Sequence, residues 1–175
     1  VTYDFSDASQ LLDWDIASGT TTQLSLTNQL MLLTYPTTAN ETLTAVQFKL
    51  PLRPTRLAFK GVTLEGQSHM NVYLAVQWTG QWAPGLGYGC IHTGVGRMFT
   101  AAGTSINTTD TTGLVMNQTY LVDILMTSTR ITWTTNASSV TYDSVALYQG
   151  KDRNLVLGAW MSTVAFDDVV IEGEF

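Results

Sequence analysis

The side chains best suited to chemistry in this 175-residue chain are few and widely spaced. Residues 77–89, QWTGQWAPGLGYG, set Trp78, Trp82 and Tyr88 among glycines and a proline. Aromatic rings stack on the apolar C–H faces of sugars while amides bond the hydroxyls, so Gln77, Gln81, Trp82 and Tyr88 form a candidate sugar-binding set. The same residue types anchor protein–protein contacts. Trp78 ends an alternating run and is assigned to the core. His92, in YGCIHTG, could serve a lyase, which wants a basic residue, a His and a Tyr converging; the Arg-rich partner strand of such a site is not evident. A retaining glycosidase needs two carboxylates about 5–5.5 Å apart. Asp168, Glu172 and Glu174 share a face by alternation, but at the chain end they read as a solvated edge. The chain carries no Ser-His-Asp arrangement, no Cys/His metal spacing and no phosphate loop.

Composition narrows the classes of partner. Net charge is −6 with 8 Lys+Arg, which opposes binding to nucleic acid or to an anionic membrane surface. No apolar run approaches the roughly 20 residues of a membrane span. Charged residues make up 13% of the chain, and Thr, Ser, Asn and Gln take their place at the surface, a balance familiar in secreted and cell-surface proteins. The single cysteine, Cys90, permits no intrachain disulfide and reads as a small buried side chain. A secreted eukaryotic domain would normally have disulfides, so the expectation is a prokaryotic exterior. The chain begins at Val1, which reads as a mature form after removal of a signal peptide. Four Asn-x-Ser/Thr sequons, at Asn40, Asn107, Asn117 and Asn136, are candidate glycosylation sites in polar stretches.

The elements that must position these residues are strands. Val72, Leu74, Val76 and Trp78 share one apolar face; so do Val46, Phe48 and Leu50, then Val122, Ile124 and Met126, then Ile131 and Trp133. Helical periodicity is nearly absent, apart from a short turn over residues 6–13 with Ser6 or Asp7 as its cap. About a dozen short strands separated by Gly, Pro and Asn turns predict one all-β domain over residues 1–175, an antiparallel sandwich. Strand-like residues at both ends suggest that the first and last strands pair.

The run NLVLGAWMSTVAFDDVVIEGEF resembles the closing strands of concanavalin-like and laminin-G-like jelly rolls. NQTYLVDILMTSTRITWTTNASSVTYDS is similar to their middle hairpin, and YDFSDASQLLDWDIASGT to their entry strand. The resemblance implies two packed antiparallel sheets and a function in binding. The Glu-x-Asp-x-x-Glu signature of the hydrolases in this group is missing. Jelly rolls of this kind often staple their N-terminal segment to the last strand with calcium. Asp4, Asp7, Asp167 and Asp168 are the candidate ligands here, since crowded like charges invite a cation. Two readings follow, both non-enzymatic. One is a secreted glycan-binding or adhesion protein working through the Trp82 loop. The other is a structural subunit that polymerises with copies of itself into a filament, sheath or surface layer, with residues 1–5 donating a strand to a neighbour. A glycan hydrolase or lyase ranks below both.

Overall fold

Alternation decides which side chains are buried. In the computed structural model, Val122, Ile124 and Met126 are 1–4% exposed, while Leu121 and Leu125, at the alternate positions, stand about half exposed. The structure describes residues 1–35, 43–50, 52–66, 70–75, 87–92, 95–99, 105–109, 115–127, 129–136, 138–143 and 154–174. At residues 71, 73–75, 87–92, 95–99, 105–109, 138, 140, 142 and 154 the description is of the backbone.

Among these residues there are fifteen strands: β1 Thr2–Tyr3, β2 Trp14–Ser18, β3 Leu24–Thr27, β4 Leu30–Leu33, β5 Leu43–Phe48, β6 Arg53–Gly66, β7 Met70–Ala75, β8 Gly87–His92, β9 Val95–Phe99, β10 Ser105–Thr109, β11 Thr119–Met126, β12 Arg130–Thr135, β13 Ser138–Asp143, β14 Asn154–Trp160 and β15 Ser162–Glu174. Sheet I has the order β13-β12-β11-β6-β15-β4-β3, with β1 also on β15; sheet II has the order β10-β9-β8-β7-β14-β5-β2. Every pairing is antiparallel. The expected all-β jelly-roll sandwich is the fold observed. The only helical features described are two 3-10 turns. The first, Ala8–Asp13, is capped as the sequence suggests: Asp7 Oδ1 accepts from the Ser9 N–H.

The core is a sheet-on-sheet layer that includes Leu33, Leu57 and Phe166 from sheet I and Val46, Val72 and Leu157 from sheet II. One end is aromatic. Tyr3 and Phe48 meet the Trp14 ring at centroid distances of 5.7 and 5.6 Å, and Phe5 stacks on Tyr3 at 6.0 Å. The Tyr3 hydroxyl donates to Asp13 Oδ2 at 2.9 Å, and burial together with that carboxylate pushes its phenol pKa upward.

The terminal strands pair, Thr2 with Val170 and Tyr3 with Val169. The Val1 ammonium donates to Ile171 O at 2.8 Å, and the Ile171 N–H donates back to Val1 O at 2.9 Å. This corrects the expected donation of residues 1–5 to a neighbouring chain. The backbone of residues 1–3 is already hydrogen-bonded to β15, and Tyr3 and Phe5 are 2% and 0% exposed in the core. Leu50 also departs from expectation: it lies beyond the end of β5 and is 55% exposed.

Gly66 closes β6 at φ 95°, where a β-carbon would overlap the backbone carbonyl oxygen of Met161. No rotamer relieves a clash with backbone. Gly66→Ala is therefore expected to cost about 1–2 kcal/mol for the left-handed conformation alone, a Tm lower by roughly 2–8 °C in a thermal melt. An unchanged Tm would mean that this turn relaxes freely.

Candidate functional site

The outward face of sheet II follows from register. Met70 and Val72 are in the core, so Asn71 and Tyr73 alternate onto the other face. Across the sheet, Tyr73 pairs with Tyr88 and Tyr88 with Phe99; Asn71 pairs with Cys90 and Cys90 with Arg97; His92 pairs with Val95. In the other direction Tyr73 pairs with Val156, Val156 with Gln47 and Gln47 with Asp15. With strands about 4.8 Å apart and same-face residues about 6.6 Å apart, the backbone positions from Asn71 to Arg97 and from Tyr88 to His92 fill a patch of roughly 10 by 13 Å. That is the scale of two sugar rings. Nearby, Ala45 and Val156 are fully buried although they alternate away from the core, so the sheet is covered on this side over β5 and β14.

Strands β5, β7, β8, β9, β10 and β14 contain no Asp or Glu. The one carboxylate on a sheet II strand is Asp15, on edge strand β2, where it lies 3.5 Å from the Lys49 ammonium. Sheet I carries the opposite composition: four Lys and Arg and seven Asp and Glu on its strands. Its cations are all paired. Arg56 Nε and Nη2 grip Asp123 at 3.0 and 2.9 Å, and Nη1 reaches Glu172 at 3.2 Å. Arg53 meets Glu174 at 2.7 Å, Arg130 meets Asp143 at 2.6 Å, and Lys60 bonds Asp168 with Asp167 at 3.8 Å. The Asp123 hydrogen bonds hold the Arg56 guanidinium pKa above its usual value, and the Asp168 bond does the same for the Lys60 ammonium. These groups are about two-fifths to two-thirds exposed, apart from the more covered Asp167, so each pair contributes little to stability.

The candidate residues of the sequence fare differently. Tyr88 lies in β8, in the outward row; Gln77, Gln81, Trp82 and Trp78 fall outside the described residues. Cys90 alternates onto the outward face of β8, opposite the core. Asp168, Glu172 and Glu174 do not form a carboxylate pair. Each is held by a different cation, and a bulge between Asp167 and Val170, with Asp168 at φ 47°, breaks the alternation. Asn107 lies within β10, Asn117 and Asn136 occupy exposed turns at φ 63° and 51°, and Asn40 is outside the described residues.

The four aspartates proposed for calcium do not fit it. Among the described residues no three Asp, Glu, His or Cys side chains form a group able to hold a metal ion. Lys60 supplies to Asp167 and Asp168 the positive charge that the ion was to bring. Asp4 is spent locally: Oδ1 accepts from Gln10 Nε2, Ser6 Oγ and the Ser6 N–H, at 2.8, 2.8 and 3.1 Å. These bonds, Gln10's first, lower the Asp4 carboxyl pKa to about 2 from 3.8. A depressed folded pKa stabilises the fold above the unfolded value and loses that effect as pH falls through the folded one. The Tm difference between wild type and Asp4→Asn should thus be complete above pH 3.8 and vanish toward about pH 2. A difference constant across that window would show that the carboxylate charge plays no part.

The residues that sequence reasoning missed are Asn71, Tyr73 and Arg97. The first two were legible, as the positions between apolar Val72 and its neighbours. Arg97 was not, because only the β8–β9 register brings it beside Cys90 and diagonal to His92.

No protein-family model and no curated protein matches the sequence. Solved structures do match in shape. A laminarinase from Flavobacterium sp. UMI-01 superposes with a TM-score of 0.73 at 11% identity, covering 98% of each chain. The fold is that of the concanavalin-like jelly rolls. A family 7 alginate lyase, A1-II′, in complex with its product superposes at 0.65 and 12% identity, covering 94% of this chain and 96% of that one. The carbohydrate binding module CBM66 from Bacillus subtilis does so at 0.67 and 11%, covering 92% and 96%. The resemblance seen in the closing strands is thus to the right fold. The expectation of a non-enzymatic protein is corrected: two of these three jelly rolls are enzymes that act on polysaccharides, and with similar neighbours that include a transglycosylase and a β-glucanase the shape carries no presumption against catalysis. That presumption had rested on an absent carboxylate signature, on the lack of an evident Arg-rich partner strand for His92 and on the binding role the resemblance implies; glycan cleavage does not always use carboxylates.

Proposed function

We propose that this protein cleaves acidic polysaccharides by β-elimination on the outward face of sheet II. One observation carries the reading. Tyr88, His92 and Arg97 lie within one sugar-sized patch of a sheet whose six contiguous strands from β5 to β10 in the sheet order bear no carboxylate. Among the described residues of these six strands, two-carboxylate hydrolysis has no pair to work with. Elimination needs a different set. Arg97, with Asn71 two strands away in the same row, neutralises the uronate carboxylate and so acidifies the neighbouring C–H. His92 or Tyr88 takes that proton as general base. The glycosidic C–O bond at the β carbon then breaks, a carbon–carbon double bond forms, and the departing oxygen takes a proton from the other of the pair. Tyr73 and Phe99 flank Tyr88 in the same row and suit stacking of adjacent sugars. The alginate lyase of the same fold supports the substrate class. The excess of carboxylates on sheet I leaves sheet II the face that an anionic chain approaches more easily. A Thr-rich, lysine-poor surface agrees with work outside the cell.

Incubation with a panel of polyuronates should produce a rise in ultraviolet absorbance from the conjugated double bond at each new chain end. Cleavage of a neutral β-glucan with new reducing ends and no such absorbance would overturn the reading, as would inertness toward every polyuronate.

A further inference from the structure

The outer face of sheet I has a depression of about 370 Å³ over the middle of the sheet, and a sequon stands on its rim. Its floor includes Leu121, a large apolar side chain 56% exposed on an interior strand. Around it lie the Arg56–Asp123 pair, Thr134 and Asn136. Asn136 is fixed in orientation. Its N–H donates to Leu121 O at 2.8 Å, and its Oδ1 accepts from the Leu121 N–H at 3.0 Å. The oxygen of the amide is therefore engaged, and its nitrogen is the atom left for an exposed side chain to offer. Asn136-Ala137-Ser138 is an acceptor triplet.

We infer that Asn136 carries an N-linked glycan whose first sugar rests in this depression, its apolar face on Leu121 and its hydroxyls beside Asp123, Arg56 and Thr134. The linkage joins Asn136 Nδ2 to the anomeric carbon of a lipid-diphosphate-linked oligosaccharide. The amide loses a proton, the sugar's C–O bond to the diphosphate breaks, and the lipid diphosphate leaves. The arrangement distinguishes Asn136 from Asn107, which lies within hydrogen-bonded β10 on the other sheet. It also gives exposed Leu121 a covalently attached cover, on the side of the sandwich away from the outward face of sheet II. The inference is independent of the elimination chemistry.

The test is expression in a secreting host that performs N-glycosylation, with the wild type set against Ser138→Ala, which removes the acceptor triplet and keeps Asn136. Peptide mass mapping should find a glycan at Asn136 in the wild type and none there in the variant. Hydrogen exchange should find the Leu121 amide several-fold slower in the glycosylated protein. Glycosylated Leu121→Asp, which keeps the sequon, should lose that protection. An unmodified Asn136 in the wild type overturns the inference. So does an occupied Asn136 with equal Leu121 exchange in wild type and Ser138→Ala.

Discussion

Replacing Arg97 with alanine should lower kcat/KM on a polyuronate by about a hundredfold to a thousandfold, the usual effect of removing one preorganised charge-stabilising donor from an active site. The argument is electrostatic. Abstracting a proton next to a carboxylate places further negative charge on a group that is already an anion. Arg97 is the one cationic residue on the strands of sheet II, so no neighbouring strand residue can take over its role. Arg97→Lys should recover part of the loss, since it restores the charge without the planar fork. A methyl-esterified substrate needs no neutralisation, and its cleavage should be far less sensitive to the substitution. Arg56→Ala is the control. It removes a guanidinium held by Asp123 and Glu172 on the opposite sheet and should leave kcat/KM unchanged. If Arg97→Ala and Arg56→Ala retain equal, near-wild-type activity, the face of sheet II is not the site. If Arg97→Ala is slow on the esterified and free substrates alike, Arg97 supports the fold and not the reaction.

The strands were easy to read, and their neighbours were not. Period-two alternation identified Val122, Ile124, Met126, Ile131 and Trp133 as core, because a strand with one wet face must write its burial into every second residue. The terminal pairing was legible too, since Tyr3 and Val169 are each strand-like and each apolar. The site was legible only in part. A functional patch on a sheet is assembled from residues that meet across strands, and that meeting depends on register. His92 reads as a possible base in the sequence, but no Arg-rich partner strand is evident there; the structure supplies a single arginine, Arg97, on the next strand, in register with Cys90. Conversely, Asp168, Glu172 and Glu174 seemed to share a face because bulges leave no mark in a pattern of apolar and polar residues; the bulge in β15 and the Arg53, Arg56 and Lys60 side chains opposite disperse them. Charge balance across sheets was likewise hidden. The same −6 that argues against nucleic acid is unevenly laid out, with sheet I rich in carboxylates and most of sheet II free of them.

Phe166→Ala should be the most damaging single change to the fold, at about 3–5 kcal/mol, or a Tm lower by roughly 6–20 °C in a chain of this size. Phe166 is 0% exposed and sits where β15 is bonded on both sides, opposite Met31 of β4 and Gly61 of β6. Its ring meets Phe59 edge-on at a centroid distance of 5.4 Å, a contact that adds to the area it buries. Gly61 has no room to compensate, because a β-carbon there would run into the Met70 side chain arriving from sheet II. Truncation at Phe166 therefore opens a cavity whose lining comes from both sheets, at the strand that also holds the N-terminal segment. Leu121→Ala, on the outer face of β11, removes a side chain that is 56% exposed and should shift Tm by far less. The contrast separates two origins of stability. If the two variants melt together, β15 is held by its backbone ladder and the inter-sheet packing is loose. If Phe166→Ala alone collapses, the meeting of Phe166, Phe59 and Met70 across the sandwich is what keeps sheet II, and with it the Tyr88–Arg97 patch, in one rigid relation to sheet I.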